Sequence, residues 1–563
     1  MRMTRDHRSP RAERGFSMFL VIMAMFVVSM FVAAGFAAAN GDLPMSGQSK
    51  DRKAAYAAAE AGLNFYLTHL NQDSDYWTHC TNLPKPTPTE NAPVNQPWKG
   101  VGTDPRTWRN IPGSTGPARY TIELLPVNLS TNPNALCDEN DGKSMIDMST
   151  GMFRIRSTGE ASKTSGDSGN RRSIVASFRR QGFLDFLYFT YYEDLDPAAY
   201  STTTARSTAT TYCAGLFRKS RPRAGAPANA CREIQFAPTD QVRGPLHSND
   251  SLLVCNSPTF GRSNNNKADK IEVSQSPNST VAASGCTNAP NIQGVFKSPV
   301  PTLNPPASNA ALRVVAQNGG ALFTGKTFIQ LNGTTMNVTT TVNGVRTYTA
   351  GMAFPDNGVV YVQSDDGTCT PQYPTDARYT DENACGNVYV SGTYSKSLTI
   401  ASDNDVIIAP TDGKTMRFYN AATDPNPPVF QLDGVDTSNA VLGLIANNFV
   451  RVAHPVNRGS SCTNTSNYYD GDDLVIDAAI LSIDHSFIVD NYDCGSALGL
   501  LKVTGAIAQR YRGAVGTTAG TGFIKDYLYD DRLKYRSPPH FISPVDSAWS
   551  IVRSNEQLPS PGN

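Results

Sequence analysis

From Phe16 to Ala39 the chain carries neither a charge nor a proline. At about 1.5 Å per residue such a helix spans roughly 36 Å, enough for a bilayer core. Secretory apolar regions are usually about 7–15 residues, so this one is too long for an ordinary signal peptide. A second helix is predicted over Ser49–Leu70, "SKDRKAAYAAAEAGLNFYLTHL". There Tyr56, Ala59, Leu63, Tyr66 or Leu67, and Leu70 recur at three- and four-residue steps, which makes one apolar face. Asp42 and Pro44 are expected to break or kink the chain between the two helices.

Beyond a proline-rich stretch at 71–115 the period changes to two. Three strands are predicted at 118–127, 152–161 and 172–180 from their β-branched and aromatic alternation. The aromatic run "GFLDFLYFTYYEDLDP" (182–197) reads as a buried strand rather than an exposed patch. The Ser/Thr/Ala-rich 198–212 reads as a linker or surface loop, with a domain boundary near residue 200. Short apolar runs separated by Gly, Asn and Asp then recur, as in "GNVYVSGTYSKSLTIASDNDVIIAP" (386–410). They suggest successive turns of a right-handed parallel β-helix, with β-sandwich domains as the alternative. The Gly-, Tyr- and Pro-rich 511–563 reads as an extended strap capping the last open turn of that solenoid.

The expected fold is therefore mainly β with one long N-terminal α-helix. Its segments are a basic leader (1–15), an apolar helix (16–39), an amphipathic helix with a small antiparallel sheet (40–200), a linker (201–240), a β-solenoid (241–510) and the strap (511–563).

Composition narrows the setting. The formal net charge is zero, so no basic surface argues for nucleic acid. Positive charge gathers in the leader, where Arg2, Arg5, Arg8, Arg11 and Arg14 face only Asp6 and Glu13. That bias predicts a cytoplasmic N-terminus and an extracytoplasmic body. Ten cysteines occur, none in a CxxC, which suits disulfides in an oxidising compartment. Spacing does not fix connectivity. Pairing neighbours in order staples local loops: Cys80–Cys137, Cys213–Cys231, Cys255–Cys286, Cys369–Cys385 and Cys462–Cys494.

Arg14-Gly15-Phe16 directly before the apolar helix resembles the processing signal of type IV pilins. There a prepilin peptidase cuts after the glycine, which would leave Phe16 as the mature first residue. Asp51-Arg52 followed by Ala58-Ala59-Glu60-Ala61 resembles the end of the N-terminal region of PilX-like minor pilins. The resemblance covers Gly15–Leu70 and implies a pilin-like head with a long helix on an antiparallel sheet. Its implied partners are the membrane, prepilin peptidase and other pilins or their assembly machinery. Surface polysaccharide is a further partner class.

Major pilins carry glutamate at the fifth mature position, where this chain has Leu20. That departure argues against a bulk fibre subunit and fits a tip, priming or membrane-anchored protein. The texture of the β-rich body also resembles uncharacterised bacterial envelope proteins.

Enzyme signatures are sparse. Neither HExxH nor GxSxG occurs, and the glycines of 511–549 lack the Lys-Ser/Thr of a phosphate loop. No cofactor or metal site is expected. Asp365/Asp366, Asp403/Asp405 and Asp472/Asp473 are candidate carboxylate pairs for a carbohydrate-active enzyme on a β-helix. Their turn-like settings favour backbone duty. Asp470–Asp473 lacks EF-hand ligand spacing. The expected role is a structural, pilus-assembly or adhesive surface protein without enzymatic activity. The alternatives are a membrane-tethered carbohydrate-active enzyme and a static envelope component.

Overall fold

The computed structural model describes 17–72, 76, 99–100, 108–111, 113, 116–125, 152–161, 171–180, 182–264, 267–365, 369–377, 379, 384–414, 431–434, 439–458, 462–464, 473–517, 519–534, 536–545 and 549–557. The chain is mainly β and divides into two compact units. One comprises 1–145, 153–178 and 551–563; the other comprises 146–152 and 179–550.

The first unit is built on α1, Ser17–Gln72, a single helix of 56 residues. The break expected at Asp42 and Pro44 does not occur. A proline removes one hydrogen bond and costs about 3 kcal/mol, a loss that the long helical flanks offset. Apolar side chains stand exposed along its first half, among them Val21, Met25, Phe26 and Phe31. Among the described residues no helix is long and apolar enough to cross a membrane. The side chain of Leu20 lies outside the described residues, as do Gly15 and Phe16 altogether.

The second half of α1 buries Ala55, Ala58, Ala59, Leu63, Tyr66 and Leu70. Tyr56 is 37% exposed. Ala59, Leu63, Tyr66 and Leu70 of the expected face are thus buried, and Ala55 takes the place given to Tyr56. Small residues there let strands approach the helix backbone. A Cβ on Gly159 would run into the Ala55 carbonyl and stand 2.5 Å from the Ala59 nitrogen. A Cβ on Gly62 would stand 2.8 Å from the Tyr120 ring. Gly159→Val is expected to destabilise this unit by about 1–3 kcal/mol through overpacking. Faster amide exchange across Ala55–Gly62 would report it.

The strands facing α1 are Arg119–Leu125, Met152–Glu160 and Arg171–Arg180. The first two pair antiparallel, but the short Lys99–Gly100 joins Arg119–Leu125 in parallel, so the sheet is mixed. Its far edge is Trp549–Gln557, hydrogen-bonded beside Arg171–Arg180. The end of the chain therefore completes this sheet and is not a solenoid cap. Tyr511, Tyr527 and Tyr529 of the expected strap are buried within strands of the second unit. Among the described residues, 536–545 runs as a strap across the side of that unit. Pro539 would stand 2.6 Å from a Cβ on Gly358, and Pro538 2.9 Å from one on Gly443.

The second unit holds a 22-stranded sheet. Three sets of short strands pair in parallel, with register fixed by columns of apolar residues. The longest column runs Ala321, Val360, Ile400, Leu444, Ile480, Ile507, Tyr188, Leu246, Ile271 and Phe296. A second runs Leu331, Gly392, Leu432, Ile476, Val503, Tyr527, Val242, Phe260 and Ile292. A third runs Val388, Val406, Val450 and Phe487. Most of these side chains are fully buried, each contributing about 1.5–3 kcal/mol. Parallel pairing of this kind is not that of an antiparallel sandwich. One antiparallel excursion, Lys326–Gly333, Thr335–Val342 and Val345–Ala353, interrupts it.

The chain order within the columns was not expected. Residues 188–297 begin mid-column and run to one end. The segment containing α3, Ala310–Gln317, precedes the strand at the other end. Residues 321–512 then return until Ile507 pairs with Tyr188. The first turn thus contains 182–243, so residues placed in the head (182–200) and in the linker (201–240) belong to this unit. The Ser/Thr-rich stretch forms α2, Thr203–Tyr212, because Thr202 Oγ1 accepts from Ala205 N at 3.1 Å and caps it.

Candidate binding cleft

Where strands of the first column turn into those of the third, polar corner residues recur at successive turns. They include Asp403–Asp405, Asn447–Phe449, Ile483–Ser486 and Arg510–Gly513. Asparagines bond along this corner: Asn404 Nδ2 donates to Asn387 Oδ1 at 2.5 Å, and Asn448 bonds to Asn404. Over the corner lies a cleft of about 490 Å³. Its corner lining is Asp405, Asn448, Phe449, Asp484, His485, Arg510 and Tyr511. Asp196, Pro197, Ala198 and the α2 residues Arg206 and Thr210 line it too, as do Pro371, Gln372 and Tyr373.

Each wall is held from behind. Cys213 at the end of α2 bonds to Cys231, and Cys369–Cys385 closes the segment carrying Tyr373. The Arg206 guanidinium sits 3.8 Å from the Tyr373 ring centroid. Arg451, buried beneath, binds Asp405 and Asp490 at 2.8 Å each and the Gln372 carbonyl at 3.2 Å. It fastens one wall to two turns of strands. Burial pushes the Asp490 carboxyl up to about 6 against the pull of Arg451.

Four of the charged groups at the cleft come in pairs, while Arg206 donates to the Tyr200 carbonyl at 2.7 Å. His485 Nδ1 lies 3.0 Å from Asp196 Oδ2, and Arg510 lies 3.3 Å from Asp484. Burial alone would lower the His485 imidazole; Asp196 outweighs it, so the net shift is upward. The His485 ring stacks on Phe449 at 4.3 Å and 9°. Tyr511 stacks on Tyr192 at 5.1 Å.

Of the carboxylates singled out from the sequence, Asp405 lines the cleft and the other described ones are engaged elsewhere. Asp403 accepts from Tyr361 Oη at 2.6 Å and Ser364 N at 2.8 Å. Asp405 accepts from Phe449 N at 3.0 Å and from Arg451. Asp365 accepts from Asn343 N at 2.7 Å, and Asp473 pairs with Lys502 at 2.6 Å. Asp366, Asp470 and Asp472 lie outside the described residues. Asp194, Cys213 and Cys231 converge, but both sulfurs are committed to a disulfide. Disulfides also join Cys255 to Cys286 and Cys462 to Cys494; Cys80 and Cys137 lie outside the described residues.

His485 and Asp196 both line the cleft, and neither carries a local sequence signal. Their partners come from positions nearly three hundred residues apart, so no local motif carries the site. The Asp51-Arg52 pair and Glu60 of the helix motif face solvent or are half-buried; Ala58 and Ala59 are buried, and Ala61 is half-buried.

No protein-family model matches the chain, and no curated protein matches it. Among solved structures, the competence-associated pilin ComZ from Thermus thermophilus is similar over 90% of this chain and 97% of that one. The identity is 14% and the TM-score 0.25, too low to carry an argument about this chain.

Proposed function

We propose that this chain is a type IV pilin-like protein of the PilX-like minor class, with a structural, pilus-assembly or adhesive role at the cell surface and no enzymatic one. The observation that carries this reading is the packing of α1. Its Ala55, Ala58, Ala59 and Gly62 face is shaped for a closely packed sheet through Gly159 and Tyr120, and it continues from a charge-free apolar stretch that begins after Gly15. In this reading prepilin peptidase cuts after Gly15. The apolar helix holds the protein in the membrane, N-terminus inward, until other pilins take it up. Leu20 provides no carboxylate for a neighbour's terminal amine, which suits a tip or priming position. We read the parallel ladders of the second unit as a β-solenoid displayed outside the membrane.

N-terminal sequencing of the protein purified from envelopes tests the reading. The expected first residue is Phe16, and Gly15→Leu is expected to leave the leader attached. A start near Asn40, or an intact Met1 in the unaltered protein, would remove it.

A further inference from the structure

We propose that the cleft holds a neutral oligosaccharide stretch of a surface polysaccharide, lying along successive turns of the parallel strands; this deepens the adhesive reading above and rests on it.

Three observations meet there. The first is aromatic surface. Tyr373 is 44% exposed and supplies the open ring; Phe449 and Tyr511 line the cleft but are largely buried under His485 and against Tyr192. Aromatic rings present apolar bodies against which the C–H faces of a pyranose can pack.

The second is charge. Asp196 is matched by His485, Asp484 by Arg510, and Asp405 by Arg451. Across the lining, Arg206, Arg510 and His485 do not outnumber Asp196, Asp405 and Asp484, so no surplus of cations is left for a polyanion. The partly exposed Asp484–Arg510 pair still offers lone pairs and N–H groups to solvent. Adjacent acceptors and donors of that kind suit hydroxyls, which do both.

The third is repetition. The corner positions recur at the strand spacing of about 4.8 Å, so Asp405, Asn448, Asp484 and Arg510 present one polar group per turn along the cleft. The disulfides behind the walls reduce the ordering cost of binding.

The test uses the full-length protein in detergent micelles on an array of neutral glucans, galactans and mannans, acidic polysaccharides and single-stranded oligonucleotides. The best oligosaccharide is then titrated calorimetrically. Binding to a neutral glycan is expected. Tyr373→Ala and Asp484→Asn, both at partly exposed positions, should each weaken it roughly tenfold, the loss of one good contact. Their melting curves should stay unchanged. Silence toward every neutral glycan, binding confined to polyanions, or full affinity in both variants would each overturn the assignment. A chain processed at Phe16 that ignores neutral glycans would end only this inference, whereas a chain that binds them but starts near Asn40 would end the pilin reading alone.

Discussion

Arg512→Ala is expected to destabilise the second unit by about 3–5 kcal/mol, the cost of leaving a buried charge without its partner. Arg512 is 1% exposed and Glu193 0%, and they lie 3.1 Å apart. Arg512 also donates to the carbonyls of Ile234 at 3.0 Å and Gln235 at 3.3 Å, and its guanidinium sits 3.5 Å from the Phe236 ring centroid. It therefore ties the returning strand at Ile507 to the first turn at Tyr188, where two chain segments far apart in sequence must stack. Burial raises the Glu193 carboxyl, with Arg512 pulling the other way; without the arginine the group would be stranded.

Amide exchange at 188–190 and 507–509 should accelerate in the variant. Lysine would not substitute well, because one ammonium cannot serve a carboxylate and two carbonyls in that planar arrangement. Replacing both partners together, Glu193→Leu with Arg512→Met, should cost less than Arg512→Ala alone. A double variant as unstable as the single would remove the ion pair from this explanation.

Arg451→Ala is expected to cost a similar 3–5 kcal/mol and to depend on pH. Arg451 is fully buried between Asp405 and Asp490. Asp490 titrates at about 6 in the folded protein, above an unfolded aspartate near 3.9. The folded state thus binds more protons in this interval, and the Asp490 contribution to stability falls as pH rises from about 4 to about 6. Removing the arginine takes away the group that holds this carboxyl down, so its titration moves higher. The deficit of the variant relative to the unaltered protein should shrink on acidification through pH 6. Denaturant midpoints at pH 5 and pH 8, read from exchange at 450–452 and 487–489, would show it. An equal deficit at both pH values would contradict the mechanism. Because Arg451 also holds the Gln372 carbonyl, the wall carrying Tyr373 should loosen in the same variant.

Local pattern carried much of the strand assignment. The runs 388–390, 398–400 and 406–408 are short, rich in β-branched residues and buried on both faces, and such a run bounded by turn residues is a local signal. Which strand stacks on which is not local. Nothing near Tyr188 marks it as the neighbour of Ile507, because any apolar column fits another of the same spacing. The final strand was missed for the same reason: "WSIVRSNEQ" looks like any extended segment until its partner is known. At Pro44 the local rule was outweighed by helix on both sides. α2 was hidden in a Thr-rich run whose low propensity is compensated by the Thr202 cap and by burial of Ala209. The cleft was illegible because its residues lie between positions 196 and 511 and meet only after the returning segment closes on the first turn.

The head sheet takes its edge strand from residues that follow the whole inserted unit, with Ser550 Oγ donating to the Arg179 carbonyl at 3.3 Å where the two ends of the insert meet. Synthesis therefore imposes a schedule. The helix-bearing sheet stays incomplete on the ribosome until residues 549–557 have been made. A chain stopped anywhere in the inserted unit lacks this edge strand, so its first unit is left unfinished along with its second.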